Sequence, residues 1–253
     1  MKILFLMLDS KSGPWSELFS TGAEETWTRD LTEEDSFIRY VSTGSNYVSK
    51  LLPNRILDSR LNPVVWPIVE ASNFLRRSNF EASMKGGFLH INTPERWSSI
   101  SMKTLVALNF CLENFDFDFL VRGNATSFFN VEALRNYLKI SQANYLGPVH
   151  KNKPFASGWA IGMSRRATTY LVQNFKFSAL RYFDDEAFGK VLTPIFGCDT
   201  LPYLKISSLQ DLRSYSGEIL CSVPAIRTKS LVDGHRMDSV IQQNIYKKII
   251  DGS

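Results

Sequence analysis

The chain has 253 residues, of which 44% are hydrophobic and 21% are charged, and its formal net charge is +4. This composition excludes a disordered chain and is typical of a globular α/β or mixed protein. Basic residues form no run longer than the pairs Arg76-Arg77 and Lys247-Lys248. Nucleic-acid binders concentrate such residues in stripes, so we expect no nucleic-acid partner.

The three cysteines, Cys111, Cys198 and Cys221, are scattered and lack the spacing of a disulfide framework or a zinc site. They favour a reducing, cytoplasmic setting. The apolar run at residues 3–8 is too short to span a membrane, so we predict no transmembrane segment and leave room only for peripheral membrane contact. The pattern gives no indication of the oligomeric state.

Strands and helices alternate along the sequence, which predicts an α/β fold with a mixed central sheet flanked by helices. The apolar run at 3–8 reads as a fully buried strand, and its following loop marks the sheet edge where such folds bind ligands. Residues 46–90 give no clear pattern. Further strands are predicted at 37–41, 117–121, 145–149, 155–163 and 203–206, and helices at 15–28, 97–114, 131–140, 165–174, from 184 onwards, and at 238–250.

We expect a single domain, 1–253. Its N-terminal half, about 1–130, would bind a nucleotide, and its C-terminal half, about 131–253, would face an acceptor. No internal repeat, low-complexity tract or linker separates the two halves.

Five short motifs then follow one another in a fixed order. They are Glu25-Thr26-Trp27, the segment 101–108, the segment 119–130, the segment 156–164 and the segment 184–189. Together they resemble the β-1,3-glycosyltransferase superfamily, which includes the β-1,3-galactosyltransferases and Fringe. The chain departs from that pattern where the family has an Arg-x-Thr-Trp element, since a glutamate stands in place of the arginine.

The resemblance implies a Rossmann-like GT-A fold and an inverting hexosyltransferase. Its donor would be a UDP-sugar, and its acceptor a glycan or lipid-linked saccharide used in surface polysaccharide or glycoconjugate synthesis. Such a transfer needs a base for the acceptor hydroxyl. Asp185 occupies the family's Glu-Asp position and is our predicted base, with Asp184 as the second candidate. The alternative is that both acids only stabilise a helix N-terminus.

The transfer also needs positive charge on the departing diphosphate. Where the resembled family has an acidic metal-binding motif, this chain has Asn124, Ala125 and Thr126. We therefore expect no cofactor or metal, with Mn2+ or Mg2+ as the less favoured alternative. Cationic side chains would replace the ion. The candidates are Arg122, Lys151, Lys153, Arg165, Lys229, His235 and Arg236.

The remaining predicted site residues surround the donor. Asp9, Ser10 and Lys103, with Arg122, Asn124, Thr126, His235 and Arg236, are predicted to bind the nucleotide sugar. Ser157, Gly158 and Trp159 are predicted to line the sugar and acceptor pocket, although Trp159 equally fits a core position.

A hypothesis of another class also fits the sequence. The missing acidic motif is compatible with a catalytically inactive glycosyltransferase-like protein that binds carbohydrate or assembles with an active transferase.

Overall fold

A computed structural model describes residues 1–10, 13–44, 81–93, 95, 99–150, 153–176, 179 and 182–252. The interruptions expected at Asn62-Pro63 and Trp66-Pro67, the predicted start of a helix at 97–98, and Lys151 lie outside this part of the chain.

The described residues form fifteen strands. They are β1 (Ile3–Leu8), β2 (Ser36–Ser42), β3 (Ala82–Lys85), β4 (Phe88–Ile91), β5 (Phe119–Asn124), β6 (Ser127–Phe129), β7 (Tyr145–Gly147), β8 (Val149–His150), β9 (Lys153–Ala156), β10 (Ala160–Ser164), β11 (Asp199–Thr200), β12 (Tyr203–Lys205), β13 (Ala225–Arg227), β14 (Leu231–Val232) and β15 (His235–Arg236).

Eight α-helices accompany the strands in the same described residues. They are α1 (Trp15–Leu18), α2 (Ile100–Asn114), α3 (Val131–Ser141), α4 (Arg165–Asn174), α5 (Asp184–Phe196), α6 (Leu209–Arg213), α7 (Gly217–Ser222) and α8 (Asp238–Gly252). A π-helical turn (Phe19–Ala23) continues α1, and a 3₁₀ turn (Trp27–Asp30) follows it.

The central sheet has eight strands in the order β11-β7-β10-β5-β1-β2-β4-β3. Strand β1 runs parallel to β2 and β5, whereas β10 runs antiparallel to β5. Leu8 at the end of β1 pairs with Asn124 at the end of β5. The segments that follow these two strands therefore leave the sheet side by side. A smaller sheet, β12-β13-β6, lies beyond β5 in the chain. The predicted mixed central sheet flanked by helices is confirmed.

Strand β1 is buried on both faces. Phe5 and its alternate neighbours pack with α1, α3 and α8 on one face. Leu4 and Leu6 pack with α2, α4 and α5 on the other. Two covering layers explain why the strand is a continuous apolar run rather than an alternating one.

The structure moves the strand that was predicted at 117–121. Strand β5 continues through Arg122 to Asn124, because β1 and β10 both pair with it over these residues. Strand β6 then begins at Ser127. The prediction ended the strand at the charged Arg122, whose partner Asp184 is brought beside it only by the fold.

One helical prediction also needs correction. The helix expected over 15–28 is helical only through Ala23 before the chain turns. In α2, the buried face includes the polar Lys103 and Thr104 beside Ala107 and Leu108. Strand β3 and most of β4 lie inside the segment that gave no clear pattern.

None of the described helices is long and apolar enough to cross a membrane.

An aromatic cluster anchors the α1 side of the sheet. The indole of Trp27, fully buried, packs against Phe5 at 5.2 Å and Phe129 at 5.2 Å between ring centroids. Trp27→Ala is expected to lower the free energy of unfolding by about 3–5 kcal/mol, because the cavity cannot close between two strands. Urea unfolding measures this. Ile140→Ala, at a residue 81% exposed, is the control and should change it by less than about 0.5 kcal/mol.

Candidate functional site

A pocket of about 470 Å³ opens where β1 and β5 end. All the predicted catalytic, nucleotide-sugar-binding and sugar-pocket residues except Lys103 and His235 line it. Those residues are Asp9, Ser10, Arg122, Asn124, Thr126, Ser157, Gly158, Trp159, Asp184, Asp185 and Arg236. The lining also includes residues that the sequence did not indicate, among them Trp15, Glu95 and Arg227.

A buried ion pair forms the floor of the site. Arg122 Nη2 contacts Asp184 Oδ2, and the residues are only 2% and 5% exposed. Arg122 Nε also donates to the hydroxyl oxygen of Tyr40 at 3.3 Å. Thr104 completes the network, since its hydroxyl lies 2.8 Å from that of Tyr40 and donates to Asp184 at 3.3 Å. This network joins β2, β5, α2 and the start of α5.

The two charges of this pair stabilise each other against desolvation. Burial acts to lower the pKa of Arg122, but Asp184, together with Tyr40 and Asp185, outweighs this and raises that pKa. Burial raises the pKa of Asp184, and the Arg122 charge opposes that rise. Asp184 is thus the buried counter-ion of Arg122, and its role as second candidate base stays a prediction.

Asp185 is placed differently from its neighbour. It is half-buried and faces the pocket at the N-terminus of α5. One carboxylate oxygen accepts from the Gly158 amide at 3.2 Å and the other from the Glu186 amide at 2.8 Å. Each oxygen keeps a further lone pair that can take a proton. A Cβ on Gly158 would lie 3.3 Å from Arg122 Nη1 and 3.4 Å from Asp185 Oδ2, so glycine allows this close approach.

Arg39 holds Asp9 in place at the end of β1. Arg39 Nε and Nη2 donate to the same Asp9 oxygen at 3.0 Å and 2.7 Å, and the other oxygen accepts from the Ser10 amide. The guanidinium lies between the rings of Phe19 and Phe88, at 4.9 Å and 4.6 Å from their centroids. Arg39 was not predicted, because its role depends on the β1–β2 pairing. The nucleotide contact expected of Asp9 stays a prediction.

Lys103 lies behind the pocket rather than in its lining. Its ammonium is 2% exposed, donates to the Asp9 carbonyl at 2.9 Å and contacts Glu95 at 3.3 Å. Burial lowers the pKa of Lys103, and the Glu95 carboxylate opposes this. Lys103 therefore fixes the backbone after β1. A direct contact with the donor stays a prediction.

The Asn124–Ser127 loop carries no carboxylate. Asn124 Oδ1 accepts from the amide and the hydroxyl of Thr126 at 3.0 Å and 2.8 Å, which closes the turn on itself. Among the described residues, no group of three His, Cys, Asp or Glu side chains is arranged to hold a metal ion. Asp9 and Asp184 already pair with arginines. The residues present here do not fit a divalent cation.

The cations predicted for the diphosphate divide into two groups. Arg122, Lys229 and Arg236 line the pocket, together with Arg227 at the end of β13. The other described candidates lie elsewhere. Arg165 donates to the carbonyls of Leu112 and Phe115 at the end of α2, and Lys153 and His235 are exposed outside the pocket lining.

The two tryptophans of the pocket have different environments. Trp159 is 2% exposed and packs edge-on against Tyr203 at 5.8 Å, which is the core position that the sequence also allowed. This burial gives no support to the expected stacking of Trp159 on a sugar. Trp15 is half-buried, and the guanidinium carbon of Arg236 lies over its ring, 4.8 Å from the ring centroid.

Comparison with known proteins leaves the family open. No protein-family model and no curated protein matches the chain. One similar solved structure is the mannosyltransferase PcManGT from Pyrobaculum calidifontis in complex with GDP-Man and Mn2+, at 10% identity and a TM-score of 0.49. The match covers 99% of this chain but only 65% of that one. A match at this level identifies neither family nor ligand, so the β-1,3-glycosyltransferase resemblance stays a prediction.

The buried pair gives a stability test. Arg122→Met leaves Asp184 buried without its counter-charge and is expected to lower the free energy of unfolding by about 3–5 kcal/mol. A carboxyl whose folded-state pKa is raised destabilises the fold as the pH rises through that pKa, so the deficit should shrink in mildly acidic buffer. Urea unfolding at neutral and acidic pH measures both effects.

The double variant Arg122→Met/Asp184→Asn is the control for this test. It removes the uncompensated charge of Asp184 and should recover part of the lost free energy of unfolding at neutral pH. Equal stability of Arg122→Met and the unchanged chain at neutral pH would contradict the role given to the pair.

Proposed function

We propose that this protein is an inverting glycosyltransferase of the GT-A type, which moves a sugar from a UDP-sugar to a glycan or lipid-linked saccharide. The observation that carries the proposal is the difference in environment between two adjacent acids. Asp184 is neutralised by Arg122 beneath the pocket, whereas Asp185 faces the pocket with its carboxylate aligned by two backbone amides. Neighbouring carboxyls in unlike environments are typical of acid–base sites.

The position of Asp185 supports the following transfer reaction. The acceptor hydroxyl binds beside Asp185, whose carboxylate takes its proton as the oxygen attacks the anomeric carbon of the donor. The bond from that carbon to the diphosphate oxygen breaks, and the leaving nucleoside diphosphate keeps the electron pair. One displacement from the opposite side inverts the anomeric centre. A base in this position typically contributes about a hundred- to ten-thousand-fold in rate.

The donor would lie across the ends of β1 and β5. This is the edge at which α/β sheets bind ligands, and here it carries Asp9, Ser10 and the Asn124–Ser127 loop. Since these residues do not fit a divalent cation, the proposal includes no metal. The sheet takes strands from both the predicted nucleotide half and the predicted acceptor half. The cytoplasmic setting and the single-domain organisation remain part of the same proposal.

The second candidate function is an inactive carbohydrate-binding or assembly partner. The observation that favours it is the loop at Asn124, which lacks every acidic side chain of the resembled motif. The two candidates differ in Asp185, because only an active enzyme needs a base at this position.

Asp185→Asn tests the base. We expect kcat to fall by about a hundred- to ten-thousand-fold, with the donor still bound, because the amide keeps the shape of the carboxylate but cannot take the proton. Radiolabelled sugar transfer and circular dichroism measure activity and folding. Glu186→Gln is the matched control, since it lies in the same helical turn but outside the pocket lining. Full activity of Asp185→Asn would overturn the assignment.

The donor class is tested by thermal unfolding with a panel of UDP- and GDP-sugars, with and without EDTA. A ligand that binds only the folded state raises the unfolding midpoint, by several degrees at concentrations well above Kd. We expect a shift with UDP-sugars that EDTA leaves unchanged. A shift that appears only with Mn2+ would refute the metal-free proposal, and glycan binding without any nucleotide-sugar shift would favour the inactive partner.

A further inference from the structure

Three cationic side chains from β13 to β15 form a cationic wall of the pocket. Arg227, Lys229 and Arg236 all line the cavity. In the small sheet, Arg227 pairs with Ser127, and the Thr228 amide donates to the Thr126 carbonyl at 2.9 Å. These backbone contacts therefore hold the cationic wall next to the Asn124–Ser127 loop, which lacks the acidic motif.

Arg227 forms no ion pair with any of the described residues, and the more distant charge of Asp238 only partly offsets its burial. Its Nε atom is buried, and none of the described residues accepts a hydrogen bond from it. Burial, followed by repulsion from Arg236, lowers the pKa of Arg227 from its ordinary value. A guanidinium in this situation carries a desolvation cost that hydrogen bonds to an anionic oxygen would remove.

The other two cations differ in how firmly they are held. Arg236 stacks on Trp15 and donates to Asp238 at 2.7 Å and 2.9 Å, so its guanidinium is fixed in orientation. Lys229 is exposed at the pocket rim. Three positive charges less the one negative charge of Asp238 leave a net charge of two positive on this wall. A diphosphate ester carries one negative charge on each phosphate and matches it.

We propose that Arg227, together with Lys229 and Arg236, binds the diphosphate group of a nucleoside-diphosphate ligand and takes the place of a metal ion. The inference rests on the proposed function, because it names the residues that hold the same donor. Arg227 is the main anchor, since its planar guanidinium can donate two parallel hydrogen bonds to phosphate oxygens. In the transfer reaction the same charges would stabilise the departing diphosphate.

Titration calorimetry with inorganic pyrophosphate in EDTA tests this site without any transfer reaction. We expect the unchanged chain to bind pyrophosphate, and Arg227→Met to bind it about tenfold more weakly or worse, since hydrogen bonds to a charged group are lost. Arg227→Lys keeps the charge but not the two-pronged geometry and should fall between the two. UDP, titrated in parallel, should show the same order.

Arg213→Met is the matched control. It removes the same charge from an exposed position on α6, outside the pocket lining, and should leave pyrophosphate affinity unchanged. Thermal unfolding of each variant shows whether the fold is kept, and Lys229→Met gives a second measurement at an exposed residue if Arg227→Met does not fold.

Two results would overturn the inference. One is Arg227→Met, or in its place Lys229→Met, binding pyrophosphate as tightly as the unchanged chain. The other is binding by the unchanged chain only after Mn2+ is added. A failure of the proposed function alone would give another result. Pyrophosphate would still bind through Arg227, but no sugar would be transferred.

Discussion

Arg122 and Asp184 form an ion pair that is buried away from water. Neighbouring side chains supply the hydrogen bonds that these buried charged groups need. Tyr40 from β2 and Thr104 from α2 provide the remaining hydrogen bonds. Because Asp184 begins α5, the same pair fixes the first turn of that helix and hence the direction of Asp185. A buried pair of this kind adds little net stability, so its value lies in the geometry that it imposes.

The second ion pair of the site, Arg39 with Asp9, has a related purpose at the end of β1. Arg39 and Lys103 hold the side chain and the carbonyl of Asp9, one from β2 and the other from α2. The backbone after β1 is thus fixed by two buried cations. These paired charges contrast with Arg227 and Lys229, which form no ion pair with any of the described residues.

Much of the fold could be predicted, because β1, β2 and the longer helices carry their own periodicity. The order of the motifs also indicated that Asp184, Asp185 and Gly158 belong to one site. Arg39 and Arg227 could not be found in this way. Each acquires its role from the pairing of strands distant in sequence, and β13 is only three residues long. The burial of Lys103 behind the pocket could not be predicted for a similar reason, since its partners come from the residue after β1 and from Glu95.

The loop at Ala125 is also held from far along the chain. Gln242, in the last described helix, donates to the Ala125 carbonyl at 3.0 Å and to Thr228 at 3.1 Å. During synthesis the central strands leave the ribosome long before this residue does. Contacts between residues so distant in sequence form late in folding. The loop at Ala125, which lines the pocket, therefore reaches its final support only when α8 docks.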